Sequence, residues 1–299
     1  MKFGIHLPQV GPNASRENIL KMARFAEDSG FDSLWVSDHV VTPRGLESKY
    51  PYNATGEYRV PPDWDFLEPL TTLAFVAAAT ERVQLGTTVL VLPMRNPVVH
   101  AKIVSTIHAL SGGRMILGVG AGWMREEFEA LDADFENRGR VFDEYLKIVR
   151  GLWEEDNLVF RGETYEVHDL GFSPRPDPGT LPIWIGGHHR AALRRAATLG
   201  DGWHAVGVAL DEIPEKWQQI LDIAAENGRD TSDLTLSVRT GFRPGDADAV
   251  EAQMKRLVEM GIAHVVLDVP ARSVDDSIAS LNWFAEEVRP RLAQAPVSS

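Results

Sequence analysis

Val83–Trp123, VQLGTTVLVLPMRNPVVHAKIVSTIHALSGGRMILGVGAGW, is the stretch whose reading decides the fold. Val83 to Leu92 is apolar and rich in β-branched residues, as in a strand buried on both faces of a parallel sheet. Pro93 stops that strand. Asn96 can cap a following helix with Pro97 in its first turn, and Ser111-Gly112-Gly113 ends it where a left-handed residue is wanted. A second strand, Met115 to Val119, then runs into Gly120-Ala121-Gly122. Glycines at the carboxyl end of a strand let a planar or phosphorylated ligand approach the backbone, and they equally suit a tight strand-to-helix turn.

The same strand–helix alternation extends in both directions. Upstream, Phe3 to Leu7 reads as strand one. Ser15 caps a helix whose Ile19, Met22, Ala23 and Ala26 share a face, and Ser33 to Ser37 forms strand two, ending in Asp38-His39. Val41 to Asp65 breaks the pattern with four prolines and with Tyr50, Tyr52, Tyr58 and Trp64. Its length and composition fit a lid or binding loop better than a plain connection. Glu68 to Thr80 is helical. Downstream, Arg140 to Trp153 is an amphipathic helix, and Leu158 to Pro182 is a second interruption holding a hairpin. Strands five to eight follow at Ile183–Ile185, Gly202–Ala205, Leu234–Val238 and Ala263–Val269, and a last helix from about Asp276 to Val288 is expected to end before Pro290. The whole chain, residues 1–299, therefore reads as one α/β domain: a (β/α)8 TIM barrel with insertions after strand two and before strand five. A doubly wound open sheet is the rival arrangement.

Composition narrows the function. The 299 residues are 44% hydrophobic and 24% charged with no cysteine, so disulfides and thiolate metal sites are excluded and a cytoplasmic location is expected. No signal peptide and no membrane-spanning run are read from the sequence. A net charge of −13 opposes a general nucleic-acid or anionic-membrane binder. No HxH pair follows strand one, and neither HExxH nor GxSxG occurs, which disfavours metal-dependent and serine hydrolases.

A barrel gathers its chemistry at the carboxyl ends of its strands, here Asp38-His39, Thr87-Thr88-Val89, Gly120 to Arg125, Gly186-Gly187-His188 and Trp203-His204. A face with glycines and aromatics but neither metal ligands nor a nucleophile suits an organic redox cofactor bound with a small-molecule substrate. His39 is the candidate for proton transfer, because histidine titrates near neutral pH. Asp38 is expected to fix a backbone or the imidazole. Gly186-Gly187 opening a helix makes a phosphate seat, with Arg95, Arg125, Arg190, Arg194 and Arg195 as cationic candidates. Trp123 either walls a substrate pocket or packs in the core. Glu126 and Glu127 read as solvated acids in a first helical turn.

Thr80-Glu81-Arg82-Val83, Leu85-Gly86-Thr87, Pro97, Leu110 to Arg114 and Gly118 to Trp123 together resemble the bacterial luciferase-like monooxygenase superfamily, most nearly its branch using the deazaflavin coenzyme F420. The resemblance covers nearly the whole chain. It implies the (β/α)8 barrel, a homodimer, and an oxidoreductase passing hydride between F420 and a small organic substrate. An FMN-dependent monooxygenase and a non-enzymatic flavin-binding protein are the alternatives. It also implies cofactor contacts from Thr87, Thr88, Val89, Gly120, Ala121, Gly122, Arg125, Gly186, Gly187 and His188, with a cis peptide at Thr88–Val89. Tyr50, Tyr52, Tyr58, Trp64, Trp123 and Trp203 would face the substrate, and Asp38-His39 matches the Asp-His pair of deazaflavin-dependent sugar-phosphate and alcohol dehydrogenases. Those relatives place a proton-donating glutamate where this chain has Trp123, which puts sugar-phosphate dehydrogenase activity in doubt.

Overall fold

A computed structural model of the chain describes residues 1–293. Its barrel strands are β1 (Lys2–His6), β2 (Ser33–Val36), β3 (Gln84–Thr87), β4 (Met115–Gly120), β5 (Ile183–Gly186), β6 (Gly202–Ala205), β7 (Thr235–Thr240) and β8 (His264–Leu267). Each pairs in parallel with its neighbours. The register Leu85↔Met115 between β3 and β4, together with Lys2↔His264 between β1 and β8, closes the ring and rules out the open sheet.

The capping residues are those the sequence supplied. Ser15 accepts from Asn18 N–H ahead of α1 (Arg16–Asp28), Glu68 accepts from Thr71 N–H ahead of α2 (Pro69–Ala77), and Asn96 accepts from Val98 and Val99 N–H ahead of α3 (Pro97–Leu110). Between β4 and β5 lie α4 (Arg125–Ala130), α5 (Arg138–Glu154) and the short hairpin Phe160–Arg161 with Glu166–Val167. The remaining helices are α6 (Arg190–Thr198), α7 (Ile213–Glu226), α8 (Ala247–Glu259) and α9 (Val274–Trp283).

Two local expectations are corrected. Strand three does not run to Leu92: it breaks at Thr88–Val89, whose peptide is cis, resumes briefly at Leu90–Val91 and turns into a 3₁₀ segment at Leu92–Met94. The C-terminal helix does not stop before Pro290. After α9 a π turn, Phe284–Val288, leads straight into Arg289–Ala293, so Pro290 lies within a continuing helical run just after the π turn.

The barrel interior is filled by aromatic and polar groups. Trp35 stacks on Trp184 at 5.4 Å and on His204 at 5.3 Å between ring centres. A side chain on Gly4 or Gly86 would overlap the Trp35 ring, so the strands flanking β2 must be bare there. Trp35 Nε1–H donates to Ser33 Oγ at 2.7 Å, which leaves the Ser33 hydroxyl proton for His264 Nε2, also at 2.7 Å. Burial lowers His264 and His204 to about 3, so both are neutral in the folded barrel, and His204 donates through one ring nitrogen and accepts through the other. His204 bonds Thr88 Oγ1 (2.8 Å) and Ser237 Oγ (2.9 Å), tying the break in β3 to the floor of the barrel mouth. Among the described residues no helix is long and apolar enough to cross a membrane.

Candidate functional site

At the carboxyl ends of the strands the loops enclose a cavity of about 500 Å³. One wall is a low shelf of Thr88, Val89, Gly120, Gly122 and Gly187; the opposite wall is the Val41–Asp65 segment, whose Tyr50, Tyr52, Tyr58 and Trp64 all reach the cavity. That segment is therefore a lid over the barrel mouth.

His39 stands between lid and shelf. Its Nδ1 pairs with Glu127 Oε2 at 2.8 Å, and the two side chains are only 11% and 2% exposed. Glu127 Oε1 also accepts from the N–H groups of Val40 (2.5 Å) and Val41 (3.3 Å), so one carboxylate orients the imidazole and anchors the start of the lid. With Nδ1 taken, Nε2 is the nitrogen without a protein partner among the described residues. Trp123, Tyr58 and Phe66 surround the ring at 5.8, 5.1 and 5.5 Å between centres. Trp123 also meets Tyr50 (5.2 Å) and Tyr58 (5.3 Å), which settles its two readings in favour of a cavity wall.

Glu127 is the group that sequence reasoning missed. Read as a solvated first-turn acid, it is in fact buried, while its neighbour Glu126 accepts from Glu47 and Ser48 N–H in the lid. Burial pushes Glu126 upward, but its own backbone N–H, the Ser48 hydroxyl and those two lid amides outweigh it and hold the carboxyl at about 2.

Asp38 does not touch His39. Fully buried, it accepts from Val91 N–H and from both terminal nitrogens of Arg95, each at 2.7 Å. Burial raises its carboxyl above the ordinary range, and Arg95 and Val91 work against that rise. Its role is to clamp the segment after the β3 break, and Arg95 is thereby removed from the candidates for a phosphate.

Other candidates sort by which way their strands turn. In β6 His204 faces the barrel interior, so Trp203 faces the helices: it is completely buried, donates Nε1–H to Gly187 O at 2.8 Å, and is corrected from substrate-facing to core. Thr87 is likewise turned away, its hydroxyl donating to Gly118 O at 2.6 Å. Ala121 and Gly186 lie beside the shelf without lining the cavity. Arg125 is held outside it by Glu136 (2.6 Å) and the Phe135 ring (4.4 Å), and Arg194 and Arg195 are paired with Asp143.

His188 lies in a neighbouring cleft of about 440 Å³ with His189, Arg190 and Lys216, reached from the cavity along Gly187. His189 at the N-cap of α6 contributes no side-chain cap, and its carbonyl takes Ala192 N–H, so the N–H groups of Arg190 and Ala191 are the ones left available. Burial, then His189 and Lys216, hold His188 below its ordinary range against the opposing charge of Glu212, which pairs with Lys216 at 3.3 Å, and Asp222 also lines the cleft. Shelf and cleft together fit a flat ring carrying a phosphate. Beyond the shelf the cavity floor carries a polar network: His6 Nε2 and Ser37 Oγ lie 2.8 Å apart, and Arg239 binds both Ser37 (2.9 Å) and Asp268 (2.5 Å). His6 is lowered to about 3, chiefly by burial and then by Arg239. No group of acidic or histidine side chains among the described residues is spaced to hold a metal ion.

A parallel barrel with a lidded site at its carboxyl face and a glycine shelf defines a cofactor-binding class. The model of one such family, luciferase-like monooxygenase, matches residues 1–293, and the chain belongs to that family. It is 34% identical over 279 residues to an uncharacterized protein of Mycobacterium tuberculosis, covering 90% of this chain and 93% of that one. It is 32% identical over 256 residues to the F420-dependent glucose-6-phosphate dehydrogenase of Kineococcus radiotolerans, covering 81% of this chain and 71% of that one. Among solved structures, an F420-dependent secondary alcohol dehydrogenase in complex with an F420-acetone adduct superposes with a TM-score of 0.79 at 20% identity, over 97% of this chain and 98% of the other.

Proposed function

We propose that this protein is an F420-dependent oxidoreductase that passes hydride between the deazaflavin and a small organic substrate. The observation that carries this reading is the His39–Glu127 pair, held inside a lid-closed aromatic cavity and facing a flat glycine shelf that ends at an uncapped helix. The F420-dependent relatives support it. Residues Thr88, Val89, Gly120, Gly122 and Gly187 would hold the ring, and the α6 N-terminus with Arg190 would hold the phosphate and acidic tail. When bound, the deazaflavin supplies the hydride-accepting or hydride-donating carbon. The chain supplies the proton: His39 Nε2 accepts it from a substrate hydroxyl during oxidation and returns it during reduction, while Glu127 holds Nδ1–H and stabilises the imidazolium. The aromatic lid keeps water from the reacting atoms.

An FMN-dependent monooxygenase is the second reading, since the shelf would equally accept the isoalloxazine ring. The cleft favours F420 through Arg190, which has no carboxylate partner among the described residues and can meet the carboxylate tail beyond the phosphate, whereas Lys216 is already paired with Glu212. Cofactor-free protein is therefore expected to bind oxidised F420 more tightly than FMN, with a margin that shrinks as salt rises, because exposed pairs are screened beyond about 10 Å at 0.1 M. Titration of both cofactors at two ionic strengths checks this. Tighter FMN binding with oxygen consumption in the presence of reduced FMN would instead establish the monooxygenase.

A homodimer is part of the proposal. Phe75 on α2 with Val99, Ile103 and Leu110 on α3 are 39%, 57%, 41% and 80% exposed, an apolar face along two adjacent helices. Ile103→Glu with Leu110→Glu should convert a dimer to a monomer in sedimentation equilibrium; an unchanged mass for the variant would place the contact elsewhere.

A further inference from the structure

We propose that the substrate is a neutral molecule with a hydrocarbon body and a single carbonyl or hydroxyl, and that this site rejects phosphorylated sugars. Away from the shelf the cavity is lined by apolar surface, notably Val10, Pro12, Val60, Trp64, Phe66 and Leu281, contributed by the β1–α1 connection, the base of the lid and α9. Of the polar side chains there, the buried Tyr58 hydroxyl is left without a partner, and the non-aromatic ones are already committed. Ser37 Oγ is shared between His6 and Arg239, Asn13 Nδ2 donates to Ala271 O, and Ser277 Oγ donates to Val269 O.

The cations are committed as well. Arg239 is the one arginine or lysine lining the cavity among the described residues, and Asp268 holds it through both Nε (3.1 Å) and Nη2 (2.5 Å). His6 stays neutral, and His39 Nδ1 is occupied by Glu127. A phosphate dianion brought here would lose its hydration and find no unpaired positive charge, which is prohibitive for a buried anion. A single oxygen, in contrast, finds His39 Nε2, and a hydrocarbon body finds the apolar wall. The relative at 32% identity is named for a glucose-6-phosphate dehydrogenase, so on this proposal the two chains would differ in substrate although they share the family.

The inference rests on the oxidoreductase reading only in naming the oxygen group; its test reads binding rather than turnover, so either can fail without the other. Ligand-observed NMR titrations of the protein, with and without bound cofactor, would compare cyclohexanone and octanone against glucose-6-phosphate. The ketones are expected to bind saturably and to compete with each other, while glucose-6-phosphate at equal concentration does not displace them. Asp268→Asn releases Arg239 and should tighten glucose-6-phosphate binding at least about tenfold, leaving ketone affinity within about twofold. Three results would overturn the proposal: glucose-6-phosphate binding to the unmodified cavity at least as tightly as the ketones, no saturable ketone binding, or a folded Asp268→Asn protein with unchanged phosphate affinity. If the variant does not fold, the unmodified protein decides the question alone.

Discussion

His39→Ala is expected to lower turnover about 10²–10⁴-fold, the usual reach of general acid–base help, while cofactor affinity and the urea midpoint stay close to those of the parent. The imidazole touches lid aromatics and one carboxylate, and its Nε2 is bound to nothing in the described protein, so its loss removes a proton carrier rather than a strut. Glu127→Gln should reproduce part of the loss with His39 in place. A glutamine can still accept from Nδ1–H, but it cannot stabilise the imidazolium. Steady-state rates with saturating cofactor, alongside urea unfolding, separate the two effects. If His39→Ala turns over at the parental rate, the imidazole is a packing group and the proton must travel by another route.

Asp38→Ala is expected to do the reverse, costing about 3–5 kcal/mol of stability, because it strands Arg95 in a buried position and leaves Val91 N–H without its acceptor. Arg95 is only 16% exposed on its side chain, and Asp38 is the partner that meets it at hydrogen-bonding distance on both terminal nitrogens. The clamp also shapes the segment that follows the shelf, so cofactor affinity should fall along with stability. Adding Arg95→Met removes the stranded charge and should recover much of the folding loss without restoring the clamp. Urea denaturation of the single and double variants checks this. An Asp38→Ala protein as stable as the parent would mean that water or a rearranged side chain replaces the carboxylate at little cost.

These two neighbours show where sequence reasoning reached and where it stopped. Both sit at the end of β2, and the sequence places them at the barrel mouth from strand length and alternation alone. Their division of labour was not legible. Asp38 acts through Arg95, 57 residues on, and His39 through Glu127, 88 residues on. Glu127 carried a misleading local signal, since an acid in the first turn of a helix is ordinarily a solvated complement to the helix dipole. Only the fold of the lid onto α4 takes it out of water.

What the sequence by itself determined is what short-range physics encodes. Apolar β-branched runs set the strands, capping residues such as Ser15 and Asn96 and the prolines and glycines set the limits of most helices, and a proline-rich aromatic segment marked the lid. The order of those elements pointed to a (β/α)8 barrel with an open sheet as its rival, the resemblance to the luciferase-like family implied the barrel, and the pairing of β1 with β8 decided it. Tertiary structure decided three further things: the direction of each strand residue, the partner of each buried charge, and the charge left over in the cavity. Trp203 and His204 are adjacent, yet one faces the helices and the other the barrel core, because a shift of one residue exchanges the two faces of a strand. Arg239 counts as a cation in the sequence and as a neutralised one in the cavity, because Asp268 is brought against it by the pairing of β7 with β8. Pairings of that kind depend on which strands lie side by side and in what register, which no local window contains.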